Sequence, residues 1–297
     1  MITESLKVLV TVVDNNSFSR AAEELFLSQP SVSFHIRNLE DEFGAKLLNR
    51  SSRRLSLTPA GKALFKHAKK ILDHYDQAKN EIDELRQVVT GTLRIGASFT
   101  IGEYVLPRFL AEVSVNYPNV NVSVSIANTE EIAQMLRQNH LDIGIVEGQV
   151  TLPNIEEEPF MQDDMLLIVP LDHPLSKLKK VSADDLQNQI WILRESGSGT
   201  RSFGDDLLKS LDIKVNRSFV FSSNEGIKEA VIHGLGIAFV SRLVVHKELA
   251  AKIIKTVPIK TEEKLQLSRR LSILHSKEQT SSKAVDEFLE KLRLFKL

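Results

Sequence analysis

Two apolar-periodic runs meet across a short break near the start of the chain. In SFSRAAEEL, residues 17–25, Ser19 is placed to cap a helix over 20–26, and the small pair Ala21-Ala22 lets another helix approach closely. The chain breaks at Phe26-Leu27, and Ser28 is placed to cap the next helix. Pro30 falls in that helix's first turn, where a missing N–H costs no helical hydrogen bond. Val32, Ile36, Leu39 and Phe43 then recur at spacings of four, three and four, which predicts a buried stripe. The apolar run ahead of both, in MITESLKVLVTVVDNN, carries Glu4 and Lys7 without a basic leader or a small-residue cleavage site. It reads as a first helix, not a secretion signal.

The face opposite the stripe carries Gln29, Pro30, Ser33, Phe34 and Arg37, with Ser31 and His35 on its flanks and Ser28 at its tip. Polar groups on the first turn of a helix held by a short-turn partner make the pattern of a helix-turn-helix. A glutamine amide can bond adenine N6 and N7 together, and a serine serves several base edges. Phe34 can touch a thymine methyl or pack on a neighbouring helix; both readings stay open. Just downstream, LLNRSSRRLSLTPAG places Arg50, Arg53 and Arg54 in a short polar hairpin between apolar pieces. That pattern suits a wing on the sugar-phosphate backbone, supplying affinity and register more than sequence choice.

The run FSRAAEELFLSQPSVSFHIRNLEDEFGAKLLNRSSRRLSLTPAGKAL, residues 18–64, resembles the winged helix-turn-helix of the LysR-type transcriptional regulators. The Ala-Ala pair, Ser-Gln-Pro, Leu-Glu and Leu-Thr-Pro-Ala-Gly stand at that family's spacings. The resemblance implies a long linker helix and a two-lobed effector domain resembling periplasmic binding proteins. It implies output as an activator through contact with RNA polymerase, with autorepression common. The expected fold class is therefore α+β multidomain: a winged helix-turn-helix over 1–58, a linker and dimerisation helix over 59–89, and an α/β effector domain over 90–297. Lobe I would comprise 90–161 and 265–297, and lobe II 162–264.

The remaining pattern agrees in kind. After Gly61 no glycine or proline interrupts the chain up to residue 89, and Leu64, Ala68, Ile71, Tyr75, Ala78, Ile82 and Leu85 alternate spacings of four and three. That a/d repeat is the signature of a two-helix seam, along a rod of roughly 45 Å. A homodimer formed this way lets two recognition helices address the half-sites of an interrupted palindrome, and pairs of dimers would give a homotetramer. From TGT at 90–92 onward the period changes. LRIGA, NVSVSIA, LDIGIVE, MLLIVP, QIWIL, SFVFSS and GIAFVS are short β-branched runs, separated in several places by helical stretches at 103–116, 130–139, 202–211 and 224–233. Alternating strands and helices predict parallel sheets. LSRRLSILH and SSKAVDEFLEKLRLF follow, and by the resemblance return to the first lobe.

Ligands of open α/β sheets bind beyond strand carboxyl ends. GASFTIGE offers Ser98, Phe99 and Thr100; ANTEE offers Thr129 as an N-cap; RESGSGTRS offers Ser198, Thr200 and Arg201. Hydroxyls, free amides and one arginine facing a cleft suit a small anion, and the matching positions hold effectors in the resembled family. Each loop taken singly is also explained by ordinary helix capping. Glu147 could enter the cleft and repel an anion, or neutralise Arg201.

Composition narrows the alternatives. A chain of 297 residues, 42% apolar and 26% charged, suits two or three globular domains, and no window approaches the ~18 uncharged apolar residues of a membrane span. The absence of cysteine excludes disulfides and thiol catalysis and fits a reducing cytoplasm. Net charge is −1, yet 43–70 holds Lys46, Arg50, Arg53, Arg54, Lys62, Lys66, Lys69 and Lys70 with no acid, a footprint for a polyanion or a solvated helix face. GSGTRSFG lacks the Gly-Lys-Ser/Thr ending of a phosphate loop, no H-x-x-H or H-E-x-x-H pair is present, and no Gly-x-Ser-x-Gly elbow occurs. No catalytic residue, metal site or cofactor is therefore expected beyond a small-molecule effector. A solute-binding protein, or a DNA-binding protein whose sensor binds nothing, are the competing readings.

Overall fold

A computed structural model describes residues 2–51, 54–85, 89–260, 267–277 and 281–296. Contacts divide the chain into two compact units at 88/89.

In the first unit, α1 (Ile2–Asp14), α2 (Phe18–Glu24) and α3 (Gln29–Glu42) enclose one apolar core. A hairpin of β1 (Leu48–Ser51) and β2 (Arg54–Leu57) and the long α4 (Pro59–Leu85) complete it. The cap of α2 is Ser17 rather than Ser19: Ser17 has extended backbone and its side chain accepts the Arg20 N–H, whereas Ser19 lies inside the first turn. The break falls where Phe26 adopts φ +53°. Ser28 caps α3, accepting the Ser31 N–H at 3.2 Å, and Pro30 sits in the opening turn. Val32, Ile36 and Leu39 are fully buried; Phe43 leaves the expected stripe, because it terminates the helix and is 49% exposed.

The expected seam on α4 needs a correction at its start. Leu64 and Ala68 are buried in the core of this unit, beside residues of α1, and have no surface left for a second chain. Ile71, Tyr75 and Ile82 are 47%, 46% and 54% exposed, and Ala78 is exposed as well. The Leu85 side chain lies outside the described residues.

In the second unit β3 (Gly91–Ser98), β4 (Val120–Ala127) and β5 (Ile143–Glu147) run parallel, in the order β4-β3-β5. The expected helix over 103–116 is two helices, α5 (Phe99–Tyr104) and α6 (Leu106–Val113), while α7 (Thr129–Arg137) precedes β5. The expectation of purely parallel sheets fails at β6 (Ile155–Pro170). Its first part, down to Asp164, pairs antiparallel with β11 (Ser268–Ser276), which is itself antiparallel to β5. From Met165 on, β6 pairs instead with β9 (Ala238–Ser241) and β10 (Ile254–Thr256). The expected boundary at 161/162 falls inside this strand. One strand thus passes through both halves of the unit, and β11 returns the chain to the first half, so both crossovers enter the sheet against its direction.

The second half carries α8 (Ala183–Leu186) and the parallel pair β7 (Ile190–Arg194) and β8 (Arg217–Phe221). Helices α9 (Gly199–Ser210), α10 (Asn224–Ile232) and α11 (Arg242–Ala250) complete it. Finally α12 (Lys283–Leu294) packs on the first half, where the rings of Phe109 and Phe288 meet edge-on at 5.0 Å.

Candidate functional site

The first surface is the open side of α3. Ser28, Gln29, Pro30 and Arg37 are exposed, and Ser31 and Ser33 half-buried. Phe34 is 60% exposed and meets the His35 ring in a T-shaped contact at 6.1 Å. His35 Nδ1 shares a hydrogen bond with Ser5 Oγ of α1 at 3.0 Å, which ties that ring to the scaffold. The hairpin register sets Arg50 opposite Leu55 and Ser51 opposite Arg54. The side chains of Arg50 and Arg54, and Arg53 altogether, lie outside the described residues.

Glu40 was not singled out by the sequence except as the acid of Leu-Glu. Its buried carboxylate accepts Lys46 Nζ at 2.7 Å and the Leu47 N–H at 3.0 Å, fixing the end of α3 to the strand that starts the hairpin. Burial opposes its charge, but these hydrogen bonds outweigh burial and hold its pKa below the usual carboxylate value.

The second site lies between the two halves of the second unit. Ser98 precedes α5 and its hydroxyl donates to Glu147 Oε2 in a close contact; Thr100 Oγ1 donates to Oε1 at 3.4 Å. Thr129 is not the cap of α7: Asn128 is, accepting the Glu131 N–H at 3.0 Å, and the Thr129 hydroxyl instead donates to the Glu147 backbone carbonyl at 2.9 Å. Gly199 lies so close to that carbonyl that an added Cβ would be 2.1 Å from the oxygen. Ser198, buried at the start of α9, has a hydroxyl without a hydrogen-bond partner among the described residues.

The cation of this site is Arg269, which the sequence reading overlooked. Its guanidinium donates from Nε to Asp163 at 2.8 Å, from Nη1 to Thr200 Oγ1 at 2.8 Å and from Nη2 to Thr100 Oγ1 at 3.1 Å. One side chain on β11 therefore ties the first half, the second half and the through-going β6 together. Asp163 also accepts the Ser241 hydroxyl at 2.6 Å. Arg201, the expected anion ligand, is occupied elsewhere: Nε meets Asp205 at 2.8 Å and Nη1 the Arg194 carbonyl at 3.0 Å. Glu147 is not its partner. Phe99 lies beneath the buried Arg194 guanidinium at 4.7 Å, and Arg194 pairs with Glu195 at 2.7 Å and with Asn224 at 3.0 Å. Glu147 is 1% exposed, and burial pushes its pKa up; Arg269 and Arg194 pull down, and Asp163 adds to the rise.

Among the described residues no cluster of acids and histidines could hold a metal, and no helix is long and apolar enough to cross a membrane.

Comparison with known proteins identifies the family of both units. The model of the bacterial regulatory helix-turn-helix proteins of the lysR family matches residues 3–62, and that of the LysR substrate binding domain matches 86–294. The HTH-type transcriptional regulator CysL of Bacillus subtilis is 43% identical, over 99% of this chain and 97% of that protein. A full-length OxyR variant of Pseudomonas aeruginosa superposes with a TM-score of 0.72 at 25% identity, over 99% of this chain and 95% of that one. The regulatory domain of Synechocystis CcmR, solved in complex with 2-PG, gives a TM-score of 0.63 at 28% identity, over 69% of this chain and 97% of that one. The chain belongs to the LysR family: it is a DNA-binding transcriptional regulator with an effector-binding domain.

Proposed function

We propose that this LysR-family regulator acts as a cytoplasmic transcriptional activator whose operator binding responds to a small anion held between the halves of its second unit. The observation that carries the reading is the pair of hydroxyls on one buried guanidinium, Thr100 and Thr200 on Arg269, with the Ser198 hydroxyl, two residues before Thr200, without a partner among the described residues. A partly neutralised cation surrounded by hydroxyl donors suits a compact oxyanion. The 2-PG bound by the similar CcmR domain is consistent with that chemistry. Calorimetry on the full chain should show saturable binding of small anions, sulfate included, and the bound anion should change operator affinity by the factor that operator changes anion affinity. No anion binding, with full operator affinity, would favour a sensor that binds nothing.

For DNA, Gln29 stands first on α3 with an exposed amide. Gln29→Ala is expected to lose roughly 1–3 kcal/mol of discrimination at one base pair of each half-site. Selection from random duplexes should return a consensus relaxed at that position; an unchanged consensus contradicts the assignment.

For assembly, the exposed Ile71, Tyr75, Ala78 and Ile82 form the proposed seam of a homodimer, itself the building block of a tetramer that recruits RNA polymerase at an interrupted palindrome. The double change Ile71→Asp with Ile82→Asp should leave a folded monomer in sedimentation. A dimer surviving it contradicts the seam.

A further inference from the structure

We propose that an anion entering the second site brings a proton with it, taken up from solvent by Glu147. This inference rests on the anion reading above.

The charges around Glu147 are unbalanced. Arg269 faces it from β11, Asp163 from β6 and Arg194 from β7, while α5, α7 and α9 contribute Thr100, Thr129 and the backbone of Gly199 at this point. The two guanidiniums are already committed: Arg269 Nε lies 2.8 Å from Asp163, and Arg194 Nε lies 2.7 Å from Glu195. Glu147 approaches Arg269 only to 3.8 Å. Ionised Glu147 is thus the third carboxylate against two guanidiniums, almost wholly shielded from water. An anion arriving beside Arg269 would at least double that surplus. Of the three acids Glu147 has the weakest ionic partner, so it is the one that takes the proton.

Hydrogen bonding points the same way. A hydroxyl has one hydrogen to give. With Glu147 ionised, the hydrogens of Ser98 and Thr100 are both directed at its carboxylate. Protonated at Oε2, Glu147 becomes the donor to Ser98 Oγ, and the Ser98 hydrogen is free to turn toward the incoming anion. Thr100 keeps accepting from Arg269 Nη2, while its hydrogen faces Oε1, now the weaker carbonyl acceptor of a neutral acid. One proton therefore removes one unit of the excess charge, frees the Ser98 hydroxyl for the ligand and weakens the hold of Glu147 on Thr100. Ionised Glu147 is, in effect, an internal occupant that competes for the donors of the site.

Sulfate, which does not titrate near neutrality, is the probe. Its affinity for the full-length chain is measured by calorimetry at constant ionic strength from about pH 5.5 to about pH 8.5, on the side of the ordinary glutamate value toward which burial moves Glu147. Affinity is expected to fall about tenfold per pH unit above the Glu147 pKa. Calorimetry in two buffers of different protonation enthalpy should register uptake of up to one proton per sulfate, a readout on the unaltered chain. Glu147→Gln, which mimics the protonated acid, should abolish the pH dependence and bind sulfate at least tenfold more tightly than the parent at the alkaline end. Sulfate binding without pH dependence or proton uptake, or the same slope in Glu147→Gln, overturns the proton linkage and leaves the anion site standing. No sulfate binding by either protein at any pH overturns the anion reading and this inference with it.

Discussion

Replacing Arg269 by methionine is expected to destabilise the second unit by roughly 3–5 kcal/mol, the scale for breaking a buried ion pair from one side. The change keeps most of the side chain's volume but leaves Asp163 fully buried without its cation and removes the cation nearest Glu147. It also unties Thr100 and Thr200 from each other. The sign of the pH dependence follows from the carboxylates. Without the guanidinium Glu147, whose pKa burial already raises, loses the charge that pulls it down, so the native state holds more protons than the unfolded chain and stability falls as pH increases. The penalty should be largest at neutral and alkaline pH and shrink on acidification, as protonation removes the uncompensated charge. Trp191, the single tryptophan, is buried in this unit and stacked on Phe239, so its fluorescence reports the urea transition. A loss below about 1 kcal/mol at neutral pH, typical of an exposed pair, would contradict the role given to Arg269.

Gly61→Ala is the second change of large effect, and two forces oppose each other in it. Alanine is the better helix former by about 1 kcal/mol. The new Cβ, however, would stand 2.0 Å from the Leu47 carbonyl oxygen and 2.9 Å from its carbon. These are backbone atoms, and the oxygen is already held by the Thr58 N–H at 3.0 Å and approached by the Thr58 hydroxyl at 3.2 Å, so it cannot step aside cheaply. Sterics should win, with a net loss of roughly 2–3 kcal/mol in the first unit. Hydrogen exchange of the α3 amides should quicken accordingly. Slower exchange would mean that helix propensity decides and that the close approach of α4 to residue 47 is misplaced.

Local signals carried much of this architecture. Ser28 with Pro30, the stripe of Val32, Ile36 and Leu39, and the unbroken run after Gly61 specify α3 and α4 because capping and period are properties of neighbours in sequence. The errors are also physical. Ser17 and Ser19 flank the same phenylalanine and both can cap; backbone geometry picks the first. Asn128 and Thr129 pose the same ambiguity. A heptad pattern cannot tell a domain's own core from a partner's surface, so Leu64 and Ala68 read like Ile71 and Ile82 although only the latter remain exposed. The acid-rich first part of β6, IEEEPFMQDD, looks like loop because its pairing is supplied by β11, more than a hundred residues away.

The second site was half legible. Its hydroxyls announce themselves in loops after strands, but the charge they surround joins Arg269 to Asp163 across 106 residues, and no local rule pairs them. One signal was available: in LSRRLSILH, alternation puts Arg269 on the face of Leu271, both buried, while Arg270 points out. Another was the spacing of Arg201 and Asp205, four apart on one helix, which already spends that arginine.

The central claim is that α3 reads base edges. It is tested most directly by measuring, at one fixed salt concentration, the affinity of the full-length chain for a duplex it selects and for random-sequence competitor of equal length. The account predicts a selected site with two inverted half-sites and a preference of at least about a thousandfold. Equal affinity for both duplexes, varying only with salt, would reduce the first unit to a nonspecific polyanion binder and contradict it.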